Sequence, residues 1–122
     1  MKKFLKSFGF AIEGVLEFFL YERNARIQLA VAIIAIILGA VFKISQSEWL
    51  MIIFSIVLVL SLEMINSAIE KLCDMVTKDF HPGIKRIKDT AAGAVLVSAV
   101  FSLIAGLIIF IPKIYQFLTP GK

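Results

Sequence analysis

Three stretches of the chain contain no charged residue, and they constrain its fold more than any other feature. They cover residues 27–42, 49–62 and 90–112, which is 16, 14 and 23 residues. A helix needs roughly 20 residues to cross the roughly 30 Å hydrocarbon core of a bilayer, so only the third stretch spans it alone. Hydrophobic residues make up 60% of the chain, more than the core of a soluble domain of this size requires. The sequence therefore predicts an all-α integral membrane protein.

We place transmembrane helices at about residues 24–43, 48–76 and 88–112 of a single 122-residue domain. The second helix must extend through residues 63–69 to reach spanning length, which draws Glu63 into the membrane. Residues 45–47 are suited to a turn and a helix cap, so the first two helices should form an antiparallel hairpin. Pro82 and Gly83 are expected to stop the second helix.

Residues 4–20 have the periodicity of an amphipathic helix. Apolar side chains recur there at steps of three and four residues, while Lys6, Glu13 and Glu17 lie elsewhere. The apolar face consists of Phe4, Leu5, Phe8, Ile12, Val15, Leu16 and Phe19. This pattern predicts an N-terminal surface helix that lies in the membrane interface.

Basic residues indicate the orientation in the membrane. Five precede the first transmembrane helix, one lies in the hairpin loop, and five lie between Lys71 and Lys88. The positive-inside rule places the N-terminus and the second loop in the cytoplasm and the C-terminus outside. The basic residues are neither clustered on one helix face nor interleaved with exposed aromatic residues, so we expect no nucleic-acid partner.

The third transmembrane helix carries a stripe of small residues at four-residue steps. The stripe consists of Ala94, Ser98, Ser102 and Gly106. Small residues let membrane helices approach closely, either within one chain or between copies of it. Three helices form a thin structure, which favours an oligomer, and packing within the chain is the alternative.

One side of the second transmembrane helix is polar. Its members fall within roughly 100° of arc at 100° per residue: they are Glu63, Asn66, Ser67, Glu70 and Asp74. A charged side chain that faces lipid costs about 2.5 to 3.5 kcal/mol, so these groups must face protein, water or a cation. A purely structural hydrogen-bond network of Glu63, Asn66 and Glu70 is the alternative to a functional site.

Depth along the helices divides this polar cluster. Glu22 and Glu70 both lie about 35 Å of helical rise from the middle of the hairpin, so their carboxylates should be level. Two carboxylates suit a hard cation such as Mg²⁺ whose shell is completed by phosphate oxygens and water. Glu63 lies about 10 Å deeper than Glu70. A poorly solvated carboxylate at that depth is suited to act as general base for a hydroxyl anchored in lipid.

Two residues at the start of the third transmembrane helix complete the candidate site. Lys88 can supply a cation that interacts with the negative charge of a phosphate. Asp89 can supply a hydrogen-bond acceptor that orients Lys88. For Asp74, surface pairs with Lys71 and Lys78 are an alternative to a functional role. His81 beside Pro82 is more typical of a loop than of a ligand site.

These residues carry a resemblance to a known family. The segment Glu63-Met-Ile-Asn-Ser-Ala-Ile-Glu-Lys-Leu-Cys-Asp74, the pair His81-Pro82 and the run from Lys88 to Leu96 resemble the prokaryotic membrane-integral diacylglycerol kinases, which include the undecaprenol kinases. The resemblance implies a homotrimer in the bacterial cytoplasmic membrane that transfers the γ-phosphate of ATP to a lipid hydroxyl with Mg²⁺. The Glu22-Arg-Asn motif, the His-Pro loop and the Ala-Ala-Gly-Ala-Val-Leu run resemble the Gram-positive branch, whose usual substrate is undecaprenol.

The resemblance also implies roles for individual residues. Glu63 corresponds to the catalytic base, and Glu22 and Glu70 to metal ligands. The family's polar residues of the nucleotide or active site correspond to Asn66, Asp74, Lys88 and Asp89. Asp79 and His81 correspond to positions near the adenine. Lys3 and Lys6 correspond to basic residues near the phosphates. Phe10 occupies a nucleotide-contact position where the Gram-negative branch has a tyrosine, and it lacks the hydroxyl.

Three functions follow from these observations. An undecaprenol kinase is the first, and a diacylglycerol kinase that makes phosphatidic acid is the alternative. A non-enzymatic oligomer, such as a small transporter or a holin, would place polar residues along the full depth of the membrane. The predicted polar residues gather instead at the cytoplasmic third, which favours chemistry with a cytosolic cosubstrate.

Overall fold

The computed structural model describes residues 1–121 and consists of four helices. In chain order these are α1 (Lys2–Tyr21), α2 (Arg23–Val41), α3 (Gln46–Val76) and α4 (Pro82–Leu118). By length and composition, α2, α3 and α4 can each cross a membrane. The prediction of an all-α membrane protein with three spanning helices is confirmed.

A single residue, Glu22, separates α1 from α2. Its backbone is extended, with φ −99° and ψ 119°, which interrupts the helical hydrogen-bond pattern. Arg26 Nη1 donates a hydrogen bond of 2.7 Å to the Leu20 carbonyl and so satisfies an acceptor at the end of α1. Phe18 is the buried residue of α1. The hydrogen bond of Arg26 and the burial of Phe18 therefore fix the junction between α1 and α2, although most of α1 is exposed.

The turn between α2 and α3 closes by a Schellman motif. The Ile44 N–H donates to the Gly39 carbonyl, and the Lys43 N–H donates to the Ala40 carbonyl. Lys43 adopts the left-handed conformation with φ 51°. Gly39 is buried against the Trp49 ring, where an added Cβ would lie 2.8 Å from a ring carbon. The glycine thus allows the close approach of α2 to the first turn of α3.

The first turn of α3 is capped as the serine-rich loop predicts. Ser45 and Glu48 form a capping box, in which each side chain accepts a hydrogen bond from the backbone N–H of the other. The second Glu48 oxygen lies 2.7 Å from Lys113 Nζ on α4. This half-buried ion pair joins α3 and α4 beside the hairpin turn.

The predicted third transmembrane helix differs from the structure at both ends. α3 runs without a break through residues 63–69 and ends at Val76, the predicted last residue, so the expectation that Pro82 and Gly83 stop it is wrong. Pro82 is the first residue of α4, where a missing N–H costs nothing because first-turn donors have no helical partner. α4 therefore begins at Pro82 rather than near residue 88, and it continues past Pro112 to Leu118.

α3 is the central helix, with contacts to each of the others. Ser98 is buried on α4, and Ser102 Oγ donates to the Ser98 carbonyl and, at 3.4 Å, to the Ser55 carbonyl on α3. Part of the small-residue stripe is thus used for packing within the chain. Near the hairpin turn, a small apolar core comprises Ile44, Ile52, Ile109 and Phe110.

Candidate active site

The candidate site lies at the end of the bundle opposite the hairpin turn, where α3 becomes polar. Glu63 on α3 is 7% exposed. Within residues 1–121, its carboxylate has no hydrogen-bond or ion-pair partner. A buried carboxylate in this setting is free to accept a proton from a bound molecule.

Glu22 is held at the α1–α2 junction by α3. Its Oε1 atom accepts a hydrogen bond of 2.7 Å from Ser67 Oγ, a buried hydroxyl. The Lys71 ammonium lies 3.6 Å from the same oxygen. Ser67 and Lys71 are one helical turn apart on α3. The structure therefore brings Glu22 to the polar face of α3 that also carries Glu63.

Asn66 and Glu70 are paired on successive turns of α3. Asn66 Nδ2 donates to Glu70 Oε1 at 3.3 Å, while the Asn66 Oδ1 atom is buried and has no partner within residues 1–121. Such an unsatisfied oxygen calls for a donor or a cation. Glu70 itself is exposed, so its carboxylate is accessible from the end of the bundle.

The donor set fits a divalent cation only with ligands from elsewhere. Among residues 1–121, no three His, Cys, Asp or Glu side chains lie close enough together to form a metal site. Glu22, at the α1–α2 junction, and Glu70, on α3, are the two carboxylates available, and Lys71 next to Glu70 lies 3.6 Å from Glu22 Oε1. Mg²⁺ is commonly held by one or two carboxylates together with substrate phosphates and water. The residues present are thus compatible with a metal that arrives with a phosphate-bearing ligand.

Asp74 and Lys88 link α3 to α4. Lys88 Nζ donates to Asp74 Oδ1 at 2.7 Å. The alternative that Asp74 pairs with Lys71 or Lys78 is wrong, since Lys71 is directed to Glu22 instead. The start of α4 is close enough to the end of α3 for this cross-helix contact, which spacing along α3 alone could not reveal.

Asp89 lies on the same helix as Lys88 but has a different partner. Lys85 Nζ donates to Asp89 Oδ2 at 2.6 Å, one turn away on α4, and both side chains are largely exposed. Asp89, which was predicted to orient Lys88, thus accepts a hydrogen bond from Lys85 instead. The structure places both ion pairs at the same end of the bundle.

The residues predicted near an adenine lie in the connection between α3 and α4. The Asp79 N–H donates to Thr77 Oγ1, and His81 is the N-cap of α4, where Nδ1 accepts a hydrogen bond from the Gly83 N–H. His81 therefore has a structural role, and its second ring nitrogen remains available for other contacts.

Lys3, Lys6 and Phe10 are exposed on the first turns of α1. Within the described residues, their side chains take part in none of the hydrogen bonds or ion pairs that connect Glu22, α3 and α4. Their assignment to phosphate and nucleotide contacts remains a prediction.

Ser67 and Lys71 contact Glu22, but the sequence did not predict a role in the site for either residue. Ser67 shares the polar face of α3 with Glu63, which was a usable signal, but no spacing rule connects it to a residue 45 positions away. Lys71 is adjacent to Glu70 and reads as an ordinary surface lysine. Both assignments depend on where α2 packs against α3.

Comparison with known proteins identifies the family and several relatives of the chain. A family model described as prokaryotic diacylglycerol kinase matches residues 9–110. The undecaprenol kinase of Bacillus subtilis is 43% identical over 93% of each chain. A diacylglycerol kinase of Synechocystis is 32% identical over 90% of this chain and 63% of its own length. The diacylglycerol kinase of Escherichia coli K12 is 24% identical over 84% of each chain.

The family match includes the Glu22 junction, all of α3 and the start of α4, which together form the candidate site. On the extent of this match, the chain belongs to the prokaryotic diacylglycerol kinase family.

Proposed function

We propose that the protein is a lipid kinase that transfers the γ-phosphoryl group of ATP to the hydroxyl of undecaprenol. The observation that carries the chemistry is Glu63, a buried carboxylate without a partner among residues 1–121, on a helix long and apolar enough to cross a membrane. The choice of lipid rests on the 43% identity to the undecaprenol kinase of Bacillus subtilis.

In this reaction Glu63 accepts the proton of the lipid hydroxyl. The hydroxyl oxygen forms a bond to the γ-phosphorus, and the bond between that phosphorus and the β–γ bridging oxygen breaks. The products are undecaprenyl phosphate and ADP. The deep position of Glu63 suits an acceptor hydroxyl that is held at the level of the membrane by its own hydrocarbon chain.

Glu22 and Glu70 are the residues that would hold Mg²⁺, with ATP phosphate oxygens in the remaining positions. When bound, the cation supplies neutralisation of phosphate charge. Around it, Lys88 is positioned by Asp74 at the entrance of α4, where an ammonium attracts the polyphosphate. ATP contacts are assigned to Lys3, Lys6, Phe10, Asn66, Asp74, Asp79, His81, Lys88 and Asp89.

The surroundings of the site support an assembly in the bacterial cytoplasmic membrane. Many large apolar side chains of α2 and α4 are exposed in the single chain, and lipid or further subunits would cover them. The proposal includes a homotrimer, with α1 as an amphipathic surface helix in the interface. The N-terminus and the ATP site face the cytoplasm, and the C-terminus faces outside.

Diacylglycerol is the second candidate substrate, because relatives from Synechocystis and Escherichia coli are named diacylglycerol kinases. The deciding experiment presents purified protein with undecaprenol and diacylglycerol in the same mixed micelles, with Mg-ATP as the phosphate donor. We expect faster transfer to undecaprenol. A clear preference for diacylglycerol reverses the substrate assignment, and no transfer to either lipid rejects the kinase function.

A further inference from the structure

Glu22 has two partners on α3, and both contact the same oxygen. Ser67 Oγ donates to Oε1 at 2.7 Å, and Lys71 Nζ lies 3.6 Å from that atom. No partner of the other oxygen, Oε2, is found within residues 1–121. One oxygen of this carboxylate is therefore fixed by α3, and the other is free to bind a ligand.

The two partners differ in burial and in charge. Ser67 is 7% exposed, so its hydroxyl is a neutral, ordered donor. The Lys71 side chain is 59% exposed and its contact is long, so it is a loosely held cation. A neutral donor orients a carboxylate without competing for its charge, whereas an ammonium competes with any metal ion for the same negative charge.

We propose that Ser67 and Lys71 act in opposite directions on a divalent cation at Glu22. Ser67 is a positioning residue: its hydrogen bond to Oε1 holds the Glu22 carboxylate so that Oε2 can bind the metal. Lys71 is a built-in counter-cation that neutralises Glu22 when no metal is bound and weakens metal binding. This inference rests on the proposed function, because that function assigns Glu22 to the metal.

The geometry explains why both roles are needed at this position. Glu22 is half-buried at a helix junction, and it contacts the polar face of α3 on which Glu63 and Glu70 also lie. Uncompensated, these carboxylates repel one another. Lys71 lowers that repulsion in the metal-free protein, and its exposed side chain can swing into solvent when a divalent cation arrives.

The test measures binding of Mn²⁺ to the purified full-length protein at a saturating concentration of a non-hydrolysable ATP analogue, by the change in water proton relaxation, because phosphate oxygens complete the proposed site. We expect Ser67→Ala to weaken Mn²⁺ binding about 10- to 100-fold, as loss of a residue that orients a metal ligand typically does. Ser67→Thr retains the hydroxyl and should restore binding. Lys71→Met should tighten binding about two- to fivefold, the range expected for an exposed ion pair.

Lys78→Met is the matched control, because Lys78 is exposed just beyond α3 and has no carboxylate partner within residues 1–121. Its Mn²⁺ affinity should equal that of the parent. A merely structural role for Ser67 would lower the thermal midpoint of Ser67→Ala while leaving the affinity of the folded fraction unchanged, and that result contradicts the inference. If Ser67→Ala does not fold, Lys71→Met against Lys78→Met decides the question.

Shifts of Ser67→Ala and Lys71→Met in the same direction, or no shift in either, overturn the proposal. The absence of saturable Mn²⁺ binding by the parent also overturns it. Transfer of phosphate to lipid is measured on the same preparations. If the parent phosphorylates lipid but the Ser67→Ala and Lys71→Met variants bind Mn²⁺ with the same affinity as the parent, only this inference is refuted. If the parent phosphorylates neither undecaprenol nor diacylglycerol, the kinase function is refuted.

Discussion

Lys88 on α4 and Asp74 on α3 form an ion pair of 2.7 Å between residues 14 positions apart. The contact closes the end of the bundle at which α3 and α4 are joined. Its two side chains are partly exposed, at 37% and 55%, and exposed ion pairs contribute little to stability because water and salt screen them. The pair is therefore better suited to orienting a lysine than to holding two helices together.

This relationship gives a first prediction, for Asp74→Asn. The thermal midpoint should change little, while kcat/KM for ATP should fall by at least about tenfold, since Lys88 loses the partner that orients it. Glu13→Gln, which also replaces an exposed carboxylate by an amide but lies on α1, serves as the control for a general charge effect. Equal losses in the two variants would contradict an orienting role for Asp74.

Replacing Glu63 by glutamine tests the catalytic base. The amide keeps the size of the side chain but cannot accept the hydroxyl proton, so transfer should fall by about 10²- to 10⁴-fold. Phosphate transfer from Mg-ATP in mixed micelles measures the effect. Size-exclusion chromatography should show an unchanged oligomer. Glu13→Gln, at an exposed position of α1, is the control, and near-normal turnover of Glu63→Gln would exclude the assigned role.

Glu70→Gln tests the predicted metal ligand on α3. A neutral amide is a weaker ligand for Mg²⁺ than a carboxylate, so the Mg²⁺ concentration that gives half-maximal activity should rise about tenfold or more, or activity should be lost. The measurement is a Mg²⁺ titration at saturating ATP. Glu17→Gln on the exposed face of α1 should leave the titration unchanged. An unchanged Mg²⁺ requirement in Glu70→Gln would remove it from the ligand set.

Gly39→Ala tests the close contact of the hairpin. An added Cβ would lie 2.8 Å from the Trp49 ring and 3.0 Å from Ile44, so we expect a loss of about 1 to 3 kcal/mol in stability from overpacking. Thermal unfolding in detergent measures it. Gly14→Ala in α1, with no atom within 4 Å of the new Cβ, should be neutral or stabilising. A parent-like midpoint in Gly39→Ala would show that α2 and Trp49 separate easily.

Much of the fold could be predicted because membrane-spanning helices are recognisable in the sequence as long, apolar segments. The Ser45 cap and the continuation of α3 through Glu63 could be predicted as well, since a cap is local and the helix needs residue 63 and those after it to reach spanning length. The beginning of α4 could not, because Pro82 is compatible both with the end of one helix and with the first turn of the next. Its N-cap, His81, is not among the strongest capping residue types.

The contacts within the site were harder to predict than its members. Residues on one face of α3 follow from helical periodicity, as Asn66 and Glu70 show. The partners of Ser67 and Asp74 lie on other helices. Which side chains meet there depends on helix rotation and crossing angle, and in lipid these are determined by packing rather than by hydrophobicity.

The single extended residue between α1 and α2 has a mechanical consequence. A joint made of one residue has no slack, so α1 cannot be tilted or rotated relative to α2 without changing the backbone dihedral angles of Glu22. The carboxylate on that residue must then be re-aimed as well. Under the proposed function, in which α1 lies in the membrane interface and Glu22 holds the metal, bending or thinning of the lipid surface that moves α1 would reorient this carboxylate.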